Sequence, residues 1–368
     1  MTAFNLPENR NAANDVILIT GAGGSIGSSL ALRFFSSFAP IPKVILLDHS
    51  EQNLYEVQSE LLSRVPNVKS QLVAILGDVN DTALLGELFE KHRPSTIFHA
   101  AAFKHVPLME ENPIAAIRNN ILGTWTLAHV ATKHGARQLI MISTDKAANP
   151  RSVMGATKRV AELILSRLDS PATRMRSVRL GNVLDSTGSV VPLFRRQIQR
   201  GGPVTVTHPD ASRYFISVDE AARFLLATSA ITDTATLFVS ELGEPVKILD
   251  LAKKMIREAA EAAASAKSGA KPIEIVFTGL RPGDKIAEEL LSSTEIAEPT
   301  EDPLLRRISG PAPAAESIDS AIDFISEKLH ARDLPALLDA IRALVPDYQP
   351  SPLLSTHTSA QLSAAAKS

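Results

Sequence analysis

The sequence predicts an α/β fold in which a Rossmann-like, doubly wound parallel sheet carries a small C-terminal α/β lobe. Three observations predict it. Short apolar runs rich in β-branched residues alternate with segments of helical spacing, a cluster of glycines follows the first run, and the alternation loosens after about residue 180. Strands that alternate with helices form right-handed βαβ units, and their parallel sheet is covered by helices on both faces.

The first strand is predicted at Val16 to Thr20, because this apolar run ends directly at glycines, as a buried parallel strand does. Ile26, Leu30 and Phe34 then recur at four-residue steps, which predicts a helix. Further strands are predicted at Val44–Leu47, Leu72–Leu76, Thr96–His99, Leu139–Ile142, Ser177–Arg179, Thr236–Val239 and Ile273–Phe277. Further helices are predicted around 51–64, 82–91, 113–134, 154–168 and 249–269.

Composition excludes several classes of function. The net charge is -2 and the chain has no cysteine, so we expect no nucleic-acid partner, no disulfide and no thiolate chemistry. The histidines are scattered without a ligand pattern, so no metal site is predicted. The polar N-terminus has no apolar signal region, and no long apolar run follows. We therefore expect no integral membrane segment and a cytoplasmic location.

A glycine-rich turn, GAGGSIG, joins the first strand to the first helix. Gly21, Gly24 and Gly27 would let the backbone approach a pyrophosphate, and Ser25 and Ile26 begin a helix whose N-terminus favours that anion. These five residues are predicted to bind a dinucleotide. A plain structural turn is the alternative.

Acidic residues follow the second and third strands. Asp48 ends the second strand, where its carboxylate can accept the ribose hydroxyls of NAD. Because Glu51 follows and no Arg or Lys is close, NAD is favoured over NADP. Asp78, followed by Val79, would bind the adenine amino group. The alternative for both aspartates is a helix N-cap.

Small residues follow the fourth strand in HAAAFKH. Ala100 and Ala101 would let the backbone approach the cofactor, so they are predicted to bind it. Lys104 and His105 come directly afterwards and are predicted to lie at the mouth of the site, near the substrate.

The run ISTDKAANPRSVMGATKR, residues 142–159, resembles the extended short-chain dehydrogenase/reductases. More narrowly, it resembles the nucleotide-sugar 4,6-dehydratases of bacterial capsule, O-antigen and protein-glycan biosynthesis. The resemblance covers about 16–295 and includes TGAGGSIGSSL, AAAFKHVPLME, RLGNVLDSTGSVVPLFRRQI and FTGLRPGDKIAEELL. The superfamily's catalytic Tyr-x-x-x-Lys is Met154-x-x-x-Lys158 here, which resembles the family members that retain the configuration at sugar carbon 5.

The resemblance implies a lyase that acts on UDP-N-acetylglucosamine with NAD as a catalytic cofactor. In the family, hydride leaves sugar carbon 4 for NAD⁺, water is lost across carbons 5 and 6, and hydride returns to carbon 6. A UDP-sugar 4-epimerase or an inverting dehydratase is the alternative, and a non-catalytic binding protein is a more distant one. Larger members carry a membrane domain before the glycine turn, whereas we expect a stand-alone form here. A homo-oligomer is also expected by resemblance.

By the same resemblance, Lys146 abstracts the carbon 5 proton and Asp145 protonates the departing 6-hydroxyl. Burial would have to keep Lys146 partly neutral and Asp145 partly protonated. Ser143 and Thr144 would bind the 4-hydroxyl, and Ser143 also belongs to the predicted cofactor site. Lys158 would hold the nicotinamide ribose. The acceptor of the 4-hydroxyl proton stays open between Thr144, Asp145 and a water relayed through Lys158.

Substrate binding is implied at three more positions. Asn182, Arg213 and Arg281 match nucleotide-sugar positions of the family, and the fork of an arginine matches phosphate oxygens. Asn120 is expected to stabilise the strand that carries Ser143. We therefore predict a flexible leader over 1–14, an NAD-binding Rossmann domain over 15–180, and a disordered tail over 349–368. Residues 181–348 would form mainly the substrate-binding lobe, with some segments returning to the Rossmann body.

Overall fold

The computed structural model describes residues 15–37, 41–65, 68–265 and 272–355. The strands are β1 (Val16–Thr20), β2 (Lys43–Asp48), β3 (Leu72–Leu76), β4 (Thr96–His99), β5 (Gln138–Thr144), β6 (Arg174–Leu180), β7 (Asn182–Val183), β8 (Val204–Val206), β9 (Ser212–Arg213), β10 (Phe215–Ile216), β11 (Leu237–Ser240), β12 (Val246–Lys247), β13 (Ile275–Phe277), β14 (Ile296–Pro299) and β15 (Leu305–Ser309). The helices are α1 (Ser25–Ser37), α2 (Glu51–Arg64), α3 (Thr82–His92), α4 (Val106–Glu111), α5 (Pro113–Ile117), α6 (Gly123–Lys133), α7 (Val153–Leu168), α8 (Val190–Gln199), α9 (Val218–Ala230), α10 (Ile248–Ser265), α11 (Ala315–Ala331) and α12 (Leu334–Leu344).

The predicted α/β fold is confirmed. The central sheet has the strand order β14-β15-β11-β6-β5-β4-β1-β2-β3. From β3 to β11 neighbouring strands pair in parallel, while β15 pairs antiparallel with β11 and β14. The chain order reverses between β1 and β4, so a crevice opens at their carboxyl ends, where sheets of this kind bind ligands.

Helices cover both faces of the sheet because the strand residues alternate. Ile17 and Ile19 face a core with α1, α2 and α9, whereas Leu18 faces a core with α3, α6 and α7. A third core joins α4, α5 and α7 to α11 and α12, and a fourth lies in the small lobe between α8, β8 and α10. Strands β11, β14 and β15 come from the C-terminal half of the chain and join the central sheet.

The helix predicted over 113–134 differs in detail. Helix α4 precedes it, and residues 118–122 form a π-helical turn between α5 and α6. Asn120 lies in this turn, and its side-chain amide donates to the Phe103 carbonyl at 3.1 Å and to Thr157 Oγ1 at 3.0 Å. The expectation that Asn120 supports the strand carrying Ser143 is therefore wrong, because its partners are the loop after β4 and helix α7.

The prediction of a disordered tail from Gln349 is wrong for residues 349–355. The Gln349 N–H donates to the Pro150 carbonyl at 3.0 Å, the Ser351 hydroxyl donates to Glu110, and Leu354 is buried. The sequence of residues 349–355 shows no periodicity, but their contacts with Pro150 and Glu110 hold them against the rest of the fold. Residues 356–368 and the predicted leader, residues 1–14, lie outside the described residues. Within the described ranges, no helix is long and apolar enough to cross a membrane.

Candidate active site

The glycine turn lies at the crevice between β1 and β4. Gly21 has a φ of 66°, and a Cβ there would lie 2.6 Å from the backbone nitrogen of Ala101. A Cβ on Gly27 would lie 2.3 Å from the Gly21 carbonyl oxygen. Helix α1 starts at Ser25, so its first amides have no helical acceptor and can bind an anion.

Asp48 is buried beside this turn. Its carboxylate accepts the Gly23 N–H at 2.8 Å and the Ser50 N–H at 2.9 Å. Because Ser50 is itself the N-cap of α2, the alternative that Asp48 is a helix cap is excluded. Each carboxylate oxygen keeps a second lone pair for another donor.

Asp78 does not cap a helix either, since Asp81 caps α3 by accepting the Leu84 N–H at 3.0 Å. Instead, the Asp78 carboxylate accepts the backbone and side-chain N–H groups of Asn80. The predicted cofactor residues that line one pocket at the carboxyl ends of β1 to β4 are Gly21, Asp48, Asp78, Val79 and Ala101.

A buried acid and a lysine meet where β5 ends. The Thr144 hydroxyl donates to Asp145 Oδ1 at 2.8 Å, and the Lys146 ammonium donates to the same oxygen at 2.9 Å. Lys146 also donates to Asn182 Oδ1 at 2.9 Å. Among the described residues Asp145 Oδ2 has no hydrogen-bond partner, although Asp145 is fully buried. The structure therefore brings four predicted site residues together, with one acceptor atom of the acid unused.

Glu288 joins this cluster and is not among the residues predicted from the sequence. Its Oε1 lies 3.6 Å from Lys146 Nζ. Burial by itself would lower the pKa of Lys146, but the charges of Asp145 and Glu288 outweigh it and raise the pKa. The expectation that burial keeps Lys146 partly neutral is therefore wrong for this structure. The FTGLRPGDKIAEELL block contains Glu288, so the signal is present in the sequence, but no local pattern links it to Lys146.

Helix α7 carries Met154 and Lys158. Met154 is buried in the apolar core shared with α11 and α12, a position that offers no proton chemistry. Burial lowers the pKa of Lys158 to about 8, against the opposing charge of Glu162. Glu162 also accepts the Ser143 hydroxyl at 2.5 Å. Because Glu162, one helical turn beyond Lys158, accepts the hydrogen bond of the Ser143 hydroxyl, Ser143 keeps only its oxygen lone pairs for a sugar hydroxyl, and its binding of the substrate or the cofactor stays a prediction.

Arg213 binds backbone carbonyls in this structure, whereas the sequence predicts a substrate diphosphate as its partner. Its guanidinium donates to the backbone carbonyls of Ser212 at 2.7 Å, Ile286 at 2.9 Å and Lys285 at 2.8 Å. These bonds clamp the segment before Glu288 against β9. Binding of a substrate diphosphate by Arg213 stays a prediction.

The remaining predicted substrate residues, Lys104, His105 and Arg281, lie near one another and form a cationic corner of the site. Burial lowers the pKa of His105, and the charges of Lys104 and Arg281 lower it further. Burial also lowers the pKa of Lys104. Arg281 pairs with Asp284 at 2.9 Å and is largely exposed. A Cβ on Gly188 would touch the His105 ring, so the loop after β7 covers this cationic corner.

Comparison with known proteins adds four findings. The family of polysaccharide biosynthesis proteins matches residues 17–309. The chain is 48% identical over 291 residues to the capsular polysaccharide biosynthesis protein CapD of Staphylococcus aureus, which covers 78% of this chain and 47% of that protein. It is 30% identical over 288 residues to the UDP-glucose 4-epimerase of Rickettsia massiliae, covering 77% of this chain and 79% of that protein. The solved structure of Pen from Bacillus thuringiensis has a TM-score of 0.71 at 27% identity and covers 85% of this chain and 99% of that chain. The chain thus spans about half the length of CapD.

Proposed function

The chain belongs to the family of polysaccharide biosynthesis proteins, and we propose that it is an NAD-dependent nucleotide-sugar 4,6-dehydratase. In this proposal it converts UDP-N-acetylglucosamine to UDP-2-acetamido-2,6-dideoxy-4-keto-hexose with retention at carbon 5. The observation that carries the proposal is the buried contact of Asp145 with Lys146, which supplies an acid and a base to one site. An epimerase moves the carbon 4 hydride and the 4-hydroxyl proton, and it has no use for a further acid and base at carbons 5 and 6.

NAD would lie in the crevice at the carboxyl ends of β1 and β4. Its pyrophosphate would lie on the turn of Gly21 and Gly27, where a side chain has no room, and its adenosine ribose would take the free lone pairs of Asp48. Lys158, buried without an ion-pair partner among the described residues, would hold the nicotinamide ribose. When bound, NAD accepts hydride from the sugar and returns it. We favour NAD over NADP because the Asp48 carboxylate would face a 2′-phosphate.

The residues at the end of β5 would move two protons. Thr144 Oγ1 contacts Asp145 Oδ1, so a proton from the sugar 4-hydroxyl can reach Asp145 through Thr144. Asp145 would deliver this proton to the departing 6-hydroxyl, which leaves as water. Lys146 Nζ would take the carbon 5 proton and later deliver a proton to carbon 5 from its ammonium, whose hydrogens exchange with solvent. Among the three acceptors left open by the sequence, the Thr144–Asp145 contact favours this route.

The sugar nucleotide would lie between this pair and the cationic corner. Lys104, His105 and Arg281 supply charge and hydrogen-bond donors for a diphosphate. The Rickettsia relative is named for a UDP-sugar, which supports the same nucleotide here. A cytoplasmic location and a homo-oligomer remain predictions from the sequence.

We expect the purified protein to release water from UDP-N-acetylglucosamine in heavy water and to place deuterium at carbon 5. Mass spectrometry measures the loss of water, and NMR locates the deuterium and the configuration of carbon 5. A product of unchanged mass with an inverted carbon 4 would establish the 4-epimerase instead. Binding of NAD without any change in the sugar would favour a non-catalytic binding protein.

Substitution of Gly27 by Ala is expected to weaken NAD binding by about 10- to 100-fold, because overpacking costs on the order of 1–3 kcal/mol. The added Cβ would meet backbone atoms of Gly21 and Ala22, which can move only if the turn moves. Calorimetric titration with NAD measures the change. Gly86→Ala is the matched control, since a Cβ there meets nothing within 4 Å. Equal affinity of the Gly27 variant and the wild type would contradict the assignment of the turn.

A further inference from the structure

The carboxylate of Glu288 has no part in the reaction as described so far, yet it lies in the reaction site. Its side chain is 3% exposed. Oε1 lies 3.6 Å from Lys146 Nζ and 3.5 Å from Arg213 Nε, and Oε2 lies 4.0 Å from Lys285 Nζ. Oε2 accepts no hydrogen bond from the described residues. A buried charge is retained only where nearby charges compensate it, and here three cations do so.

The backbone around Glu288 is fixed to the small lobe. Arg213 binds the carbonyls of Lys285 and Ile286, the Ser212 N–H donates to the Ile286 carbonyl at 2.9 Å, and Ala287 forms a bridge with Ser212. These bonds hold the backbone of Glu288 near Lys146, and the cations around its carboxylate hold the side chain there. The fold therefore sets the distance between Glu288 and Lys146.

We propose that Glu288 is a positioning residue that sets the protonation of Lys146, the base of the proposed dehydratase. This inference rests on the proposed function. The carboxylates of Glu288 and Asp145 both lie beside the lysine amine and hold it next to Asn182. The two carboxylates favour the ammonium over the neutral amine, so they stabilise Lys146 once it has taken the carbon 5 proton.

The charges around the lysine determine the direction of the effect. Asp145 and Glu288 face it as anions, Arg213 faces it as a cation, and Lys285 lies on the far side of Glu288. Removal of the Glu288 charge leaves Asp145 as the one anion facing the lysine, and leaves none once Asp145 has taken the 4-hydroxyl proton. An opposite charge at this range moves the pKa of its neighbour by about 1–3, so the amine should then lose its proton at lower pH.

The test is the pH dependence of turnover in the holoenzyme. Elimination needs the neutral amine, so the rate rises with pH along an acid limb. In Glu288→Gln this limb should move to lower pH by about 1–3 pH units. Below the wild-type limb the variant should then exceed the wild-type rate by about tenfold for each pH unit that the limb moves. Glu288→Asp keeps the charge and should leave the limb close to its wild-type position.

Glu289→Gln is the matched control, because Glu289 is the next residue, is exposed and contacts Asn149 and Lys285 instead of Lys146. The limb position is read independently of the maximal rate, so a partial loss of folded enzyme does not disturb it. An unchanged limb in Glu288→Gln, with turnover present, would overturn the role of Glu288 alone. Absence of water loss in the wild type would overturn the proposed function, and the base role of Lys146 with it.

Discussion

Substitution of Lys146 by Ala is expected to slow water loss from UDP-N-acetylglucosamine by about 100- to 10,000-fold, the range that a positioned base contributes. Lys146 contacts Asp145, Asn182 and Glu288, and no other lysine donates to Asp145 among the described residues. NAD binding should persist, because Lys146 lies outside the pocket of the glycine turn. Deuterium incorporation at carbon 5 measures the base step directly, and calorimetry measures cofactor affinity.

Lys247→Ala is the control for this prediction. Its ammonium pairs with Asp210 at 3.3 Å, and both side chains are more than half exposed, so activity should not change. The Lys146 variant keeps a buried carboxylate without its closest cation, so its folding should be checked by circular dichroism. Undiminished deuterium exchange in a folded Lys146 variant would remove this lysine from the role of base.

The parts of the site that could be predicted from the sequence are those made within one short stretch of chain. The glycine turn, Asp48 at the end of β2, and the neighbouring Asp145 and Lys146 each lie where a strand meets the next loop, and the alternation of strands and helices fixes that edge. The partners that decide protonation are distant in sequence. Glu288 reaches Lys146 because Arg213 and the backbone of Ser212 hold a C-terminal segment against β9.

The same limit explains why the sequence does not predict the partner of Ser143 and why the prediction for the C-terminal tail is wrong. The periodicity of α7 gives no sign that Glu162 points at β5 and accepts the hydrogen bond of the Ser143 hydroxyl. Likewise, the composition after Gln349 carries no periodic signal, and its contacts are with Pro150 and Glu110, far along the chain. Local patterns predict elements, whereas pairing of buried polar groups depends on the assembled fold.

A buried ion network of Arg179, Arg159, Glu162 and Glu295 holds helix α7 to the sheet. Arg179 on β6 is fully buried and binds Glu162 of α7 through two hydrogen bonds of 2.9 and 2.8 Å. It binds Glu295, ahead of β14, through two more of 2.6 and 2.9 Å. Arg159 flanks both acids. The network links α7, which carries Lys158, to the chain segment that follows Glu288.

Arg179→Met is expected to lower the free energy of unfolding by about 3–5 kcal/mol, because removal of one partner leaves buried charges uncompensated. Two carboxylates, Glu162 and Glu295, would share only Arg159. Chemical denaturation at neutral pH measures the change. Arg195→Met is the control: its pair with Asp185 is more than half exposed on both sides and should contribute about 0–1 kcal/mol.

The pH dependence of the loss in unfolding free energy of Arg179→Met distinguishes a charge effect from a packing effect. Burial would raise the pKa of Glu162, but the charge of Arg179 outweighs it and lowers the pKa to about 2, against an ordinary value of 4.5. A carboxyl with a lowered pKa in the folded state stabilises it above the ordinary value, and this stabilisation is lost as the pH falls towards 2. The variant lacks the Arg179 part of that stabilisation at every pH and keeps only the smaller part from Arg159 and Ser143. The stability difference between wild type and Arg179→Met should therefore narrow as the pH falls below about 4.5, whereas a constant difference would mean that Arg179 stabilises the fold by packing alone.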